Sequence, residues 1–167
     1  MAEDELSKAA QRLLQVCRAR NIKLATAESC TGGLVAAALT DIAGSSDVFD
    51  RGFVTYSNAA KQKMLDVPAD TLKRCGAVSR ETADAMARGA LARSDATLAV
   101  AITGIAGPGG GSTAKPVGLV HFSAAARDGR SVHREKRYGK IGRRRVRSRS
   151  VAEALAILRL LAEGGGI

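Results

Sequence analysis

Ser29 follows Thr26-Ala27-Glu28 and precedes Cys30-Thr31-Gly32-Gly33, a small polar run between an apolar segment and an Ala/Leu-rich one. At such a strand-to-helix turn a side chain projects from the carboxyl edge of a sheet, beside the free N–H groups and positive dipole end of the next helix. This setting suits a nucleophile whose oxyanion is held by backbone N–H groups, although the elbow motif G-x-S-x-G is absent. The plain alternative is that Ser29 or Thr31 only caps the helix. A serine nucleophile needs a base. His121 and His133 are the only histidines and both fall in one predicted hairpin, which disfavours a Ser-His-Asp triad. Lysine can serve when burial or nearby positive charge lowers its pKa. Tyr56-Ser57-Asn58-Ala59-Ala60-Lys61 places Tyr56 at a strand end and Lys61 about one turn into the next helix, unless Lys61 is an ordinary solvated lysine. Cys30 is the rival nucleophile, its commoner fate being that of a small buried residue.

Two further segments suit a ligand. The loop Thr103-Gly104-Ile105-Ala106-Gly107-Pro108-Gly109-Gly110-Gly111 leads to Lys115-Pro116-Val117-Gly118 and fits neither Walker A nor G-x-G-x-x-G. Its backbone N–H groups could cradle a phosphate or ribose, or it is a flexible surface turn. The second segment is basic. The 167 residues carry a net charge of +10, but residues 1–126 contribute only +2, while 127–149 hold 11 basic and 2 acidic side chains. Arg143, Arg144, Arg145, Arg147 and Arg149 open the last predicted helix, with Arg143 and Arg147 on one face. Cations at a helix N-terminus oppose its dipole, so the placement favours an anionic partner over a merely solvated face.

Composition removes other classes. Cys17, Cys30 and Cys75 form no CxxC pair and no metal-binding motif is present, so no disulfide framework, metal or cofactor is expected. Aromatic residues are 3% with no Trp, poor material for stacking bases, so a nucleic-acid partner is disfavoured. No apolar run reaches the ~18–20 residues of a membrane span, and the N-terminal MAEDELSKAA is unlike a signal peptide, so a cytoplasmic chain without membrane partners is expected.

The elements that must position these residues follow from periodicity. Asp4–Arg20 repeats apolar residues at helical spacing, residues 22–27 read as a strand, and an Ala/Leu-rich helix runs from Gly33 to Ile42. Residues 52–56 are β-branched and aromatic, a helix spans 58–65, and a short one follows Pro68. Ser79 opens a helix to Arg93, residues 97–103 form a continuous apolar run, and 117–124 with 132–138 make a hairpin about Asp128-Gly129. A helix over 143–163 closes the chain. The order predicts an α/β protein, a three-layer α/β/α sandwich with a mixed central sheet, whose ligands gather at the carboxyl ends of the strands.

Taken together, AESCTGG (27–33), GSS (44–46), GFVTYSNAAK (52–61), GAVS (76–79), TGIAGPGGG (103–111) and KPVG (115–118) resemble the C-terminal domain of the competence/damage-inducible protein CinA. In stand-alone form that family is the nicotinamide-nucleotide amidase. The resemblance runs from about residue 5 to 160 and implies that residues 1–167 are one such amidohydrolase domain. It implies hydrolysis of the carboxamide of nicotinamide mononucleotide (NMN) to nicotinate mononucleotide and ammonia, in pyridine nucleotide recycling, by a homo-oligomer without a metal. Carried over, Ser29 is the nucleophile and Lys61 the base, with Tyr56 close by. Glu28, Cys30, Thr31, Gly32, Ser46, Asn58, Thr103, Gly104, Gly107, Arg143 and Arg147 are then the expected substrate contacts. One departure stands out. The family's G-D-R-x-x-[VI]-R motif reads Gly142-Arg143-Arg144-Arg145-Val146-Arg147 after Ile141, with glycine for the aspartate. The competing expectation is a catalytically weak nucleotide-binding or regulatory domain linked to competence or DNA damage.

Overall fold

A computed structural model describes residues 2–166. Helix α1 (Glu3–Ala19) carries Glu3, Asp4 and Glu5 in its first turn and Arg18 in its last, both favourable to its dipole. It leads to β1 (Leu24–Glu28), α2 (Leu34–Thr40), a 3-10 turn at Ser45–Asp47 and β2 (Phe49–Val54). Then come α3 (Asn58–Leu65), α4 (Ala69–Cys75), α5 (Arg80–Ala92), β3 (Leu98–Gly104), the hairpin β4 (Leu119–Ala126) and β5 (Ser131–Arg137), and α6 (Arg143–Ala162).

The sheet order is β2-β1-β3-β4-β5. β1 runs parallel to β2 and β3, and β4 runs antiparallel to β3 and β5, so the sheet is mixed. Helices α1, α2 and α6 cover one face, α3, α4 and α5 the other. Period-two alternation divides the strands between the faces. Leu24, Leu98, Val100, Ile102, Val120 and Phe122 point toward α1 and α6. The opposite face is built of Ala25, Ala27, Ala99, Ala101 and Ala125, and against it α5 lays Ala87 and Ala90. Small side chains on both surfaces let α5 pack against the sheet backbone. The expected three-layer α/β/α fold is what forms.

Parallel strands β2, β1 and β3 all end on one side. Their carboxyl termini lead directly into Thr55-Tyr56, Ser29 and Ile105, respectively. Hydrogen bonds extend the register past the strand ends, Ser29 N–H donating to Ile102 O at 2.9 Å and Thr55 N–H to Glu28 O at 2.9 Å. Among the described residues no helix is long and apolar enough to cross a membrane.

Candidate active site

Lys61 reaches the centre of this edge from α3. Ser57 caps that helix, its Oγ accepting from Ala60 N–H at 3.0 Å, and so fixes the turn on which Lys61 stands. The side chain turns inward and is only 1% exposed. Its Nζ lies 3.0 Å from Ser29 Oγ, 2.8 Å from Thr55 O and 3.4 Å from Tyr56 O. Burial holds its pKa below the ordinary lysine value, with the nearby Cys30 thiol pulling weakly the other way. The three partners suit both protonation states. An ammonium donates to all three oxygens. A neutral amine donates to the two carbonyls and offers its lone pair to the Ser29 hydroxyl. A hydroxyl paired with an uncharged amine is a nucleophile with its base.

Ser29 is 8% exposed and opens into a cavity of about 270 Å³. Cys30, Tyr56, Lys61, Thr103, Gly104, Gly107 and Arg143 line it. These are the expected residues that the fold brings together. Arg143 spans the mouth, donating from Nη1 to Gly107 O at 3.0 Å and from Nη2 to Tyr56 Oη at 2.7 Å. Thr103 is 1% exposed, and its hydroxyl donates to Ala77 O at 2.7 Å, so it ties the loop 76–79 to the cavity wall. Ala77 and Val78 of that loop also line the cavity. Neither was an expected contact: a wall made of backbone and methyl groups leaves no chemical signature in sequence. Cys30 is 5% exposed, and burial pushes its thiol up to about 12, which leaves almost no thiolate at neutral pH.

The remaining expected contacts lie outside the cavity lining, each for a physical reason. Glu28 is fully buried, and its carboxylate accepts from Gly33 N–H (3.2 Å), Val35 N–H (2.9 Å) and Ala36 N–H (3.0 Å). The N–H groups at the start of α2, expected to be free for a ligand, are therefore taken by Glu28. The cap residue of α2 is Gly33, with no side-chain cap, so neither Ser29 nor Thr31 plays that part. Ser46 belongs to the turn before β2, and Phe49 pairs with Leu24 at the start of β1, so Ser46 sits at the opposite end of the strands from Ser29. Asn58 is exposed on the first turn of α3. Thr31 and Gly32 form the turn behind Ser29. Arg147 donates to Cys30 O (3.1 Å) and Thr31 O (3.2 Å), not into the cavity.

Most of the basic stretch is similarly accounted for. Arg127 donates to the carbonyls of Leu91, Ser94 and Ala96, closing the end of α5. Arg130 does the same for Leu161 O at the end of α6, and Arg134 and Lys136 pair with Glu153. Gly142, in place of the family's aspartate, has φ 97 and ψ 142, a region essentially reserved for glycine. This backbone therefore excludes an aspartate there without strain. A larger groove of about 780 Å³ lies between α1, α2 and α6, and none of Ser29, Tyr56 and Lys61 lines it.

The CinA C-terminal domain matches residues 6–162. A CinA-like protein of Synechococcus sp. (strain RCC307) is 56% identical over 149 residues, 89% of this chain and 36% of that protein. The nicotinamide-nucleotide amidohydrolase PncC of Escherichia coli (strain K12) is 48% identical over 158 residues, 95% of each chain. The crystal structure of competence/damage inducible protein CihA from Agrobacterium tumefaciens superposes with a TM-score of 0.93 at 53% identity, covering 98% of this chain and 97% of that one. This chain thus spans about a third of the length of the CinA-like relative and nearly all of the amidohydrolase. With the same sheet and a family match across almost its whole length, the chain belongs to the CinA C-terminal domain family.

Proposed function

We propose that this protein hydrolyses the carboxamide of NMN to nicotinate mononucleotide and ammonia, as a Ser/Lys amidohydrolase in pyridine nucleotide recycling. The observation that carries the reading is the buried Lys61 Nζ, 3.0 Å from Ser29 Oγ at the floor of a nucleotide-sized cavity. The relative aligned with nearly all of this chain is named for that activity. In the forward step neutral Lys61 takes the Ser29 proton as Oγ bonds to the amide carbon. The tetrahedral oxyanion is held by the N–H of Cys30, which lines the cavity and donates to no protein oxygen among the described residues. Lys61 returns the proton to the departing ammonia, leaving an ester on Ser29. Water, deprotonated by Lys61, then attacks that ester; the carboxylate is released as Lys61 gives the proton to the departing Ser29 Oγ, which restores both groups. Arg143, at the cavity mouth, takes the nucleotide phosphate.

Release of ammonia from NMN by the purified protein, and its loss in Ser29→Ala, is the direct test. No release above the Ser29→Ala background would leave the cavity as a binding site without turnover.

A further inference from the structure

Arg147 was expected to contact substrate, yet it approaches the site from behind. It lines the groove between α1, α2 and α6 and is absent from the lining of the Ser29 cavity. Its guanidinium grips two successive carbonyls of the nucleophile turn, Nε to Cys30 O at 3.1 Å and Nη2 to Thr31 O at 3.2 Å.

The consequence follows from peptide geometry. A trans peptide is planar with its C=O and N–H antiparallel, so holding the oxygen fixes the direction of the hydrogen. Arg147 on Cys30 O fixes the 30–31 plane and therefore the Thr31 N–H. Arg147 on Thr31 O fixes the 31–32 plane and therefore the Gly32 N–H. That N–H donates to Ser29 O at 3.0 Å. It thereby fixes the 29–30 plane and the Cys30 N–H on its far side. Gly32 has φ 59, and a Cβ there would lie 3.4 Å from Arg147 Nη2, so a residue that favours the left-handed region and leaves the guanidinium room completes the device. Three consecutive peptide planes are locked by one arginine and one turn hydrogen bond. Of the three N–H groups so aimed, that of Cys30 belongs to a residue lining the cavity and donates to no protein oxygen among the described residues.

We propose that Arg147 is a positioning residue that orients the Cys30 N–H as the oxyanion donor, without touching the substrate. The assignment rests on the amidohydrolase reading for its kinetic consequence, but the locking of the turn is a property of the free protein. Misaiming one such donor typically lowers kcat by about 10²–10³-fold.

The experiment pairs kinetics on NMN with amide hydrogen exchange of the unliganded protein, in Arg147→Met and Arg147→Lys. The expected result for Arg147→Met is a kcat lowered at least about 100-fold with KM within about threefold. Exchange at Gly32 should quicken more than about tenfold, while Val100 and Ile102 in β3 keep their protection. Arg147→Lys, which reaches one carbonyl at a time, should fall between, and it carries the test if Arg147→Met does not fold. A raised KM with unchanged kcat would make Arg147 a substrate ligand and overturn the proposal, as would unaltered exchange at Gly32. Should the wild-type protein leave NMN intact while exchange at Gly32 responds as expected, the amidohydrolase reading fails and the locked turn stands.

Discussion

Lys61 Nζ and Ser29 Oγ meet at 3.0 Å from two different elements, and every hydrogen-bond partner of that Nζ is a neutral oxygen. Among the described residues no carboxylate pairs with the buried amine, so the site favours the neutral form of the lysine. Removing either partner should disable both. Ser29→Ala and Lys61→Met should each lower kcat by on the order of 10⁴-fold, and the double variant should lose about as much as either single one, as groups acting as a unit do. Ammonia release from NMN measures this. Losses that multiply in the double variant would mean that the two residues act independently.

The dependence on pH has a definite sign. In the proposed Ser/Lys mechanism the neutral amine is the reactive form, and its fraction rises as pH climbs through the Lys61 pKa. Burial depresses that pKa, so the rise in kcat/KM is centred below the ordinary lysine value of about 10.4. Activity should therefore increase from acid toward alkaline pH and level off before free lysine would have titrated. Lys61→Arg, which cannot lose its proton, should be inactive throughout. A profile that falls toward alkaline pH would remove Lys61 from the role of base.

Cys30 adjoins Ser29 and lines the same cavity, but its thiol is buried and pushed up to about 12. Cys30→Ala should therefore keep kcat within about threefold, the side chain contributing packing while its N–H remains. Iodoacetamide at pH 7.5 should leave Cys30 unmodified in the native protein, as peptide mass mapping would show. Loss of activity in Cys30→Ala with Ser29→Ala still active would move the nucleophile by one residue.

Residues that meet at the strand ends were legible from spacing: Ser29, Tyr56 and Lys61 line one cavity where strands lead into turn and helix. The order of elements was legible too, because apolar runs and periodicity, with turn residues between them, mark most helices and strands. Long-range destinations were not. Nothing local says that Glu28 folds back under α2, or that Arg147 crosses to Cys30 O while Arg143 reaches Tyr56. Two arginines on one helix face looked equivalent, and tertiary packing gave them different tasks. The β4 boundary moved for a related reason. Val117 and Gly118 belong to a turn in which Gly118 N–H donates to Ile105 O and Leu119 N–H to Pro116 O, so the strand begins at Leu119 and not at Val117.

The arginines at the start of α6 separate by the same logic. Arg143 lies at the cavity mouth, whereas Arg144 and Arg145 are exposed and line the distant groove. Arg143→Ala should raise KM for NMN about 10- to 100-fold, since hydrogen bonds to a charged group contribute roughly 1.5–3 kcal/mol. The double change Arg144→Ser, Arg145→Ser should leave KM within about twofold. Steady-state kinetics at fixed ionic strength measures both. Equal effects from the two variants would mean that the phosphate is held by the general field of the basic helix start and not by Arg143.

Glu28 gives the sharpest contrast between a residue in the motif and a residue in the chemistry. Its carboxylate serves three N–H groups of the α2 start, Oε1 taking Gly33 and Val35 and Oε2 taking Ala36. These are donors that a helix cannot satisfy for itself, and here they are largely shut off from water. Glu28→Gln keeps the shape but turns one oxygen into an N–H donor facing an N–H, and it removes the negative charge at the positive end of the dipole. Leaving a buried donor unpaired costs about 1–3 kcal/mol. For a chain of this size that corresponds to a melting temperature lowered by roughly 2–12 °C. Urea and thermal unfolding should show that loss, while KM for NMN in the folded variant stays within about threefold because the carboxylate does not reach the cavity. A raised KM at unchanged stability would return Glu28 to the substrate, against the hydrogen bonds it makes here.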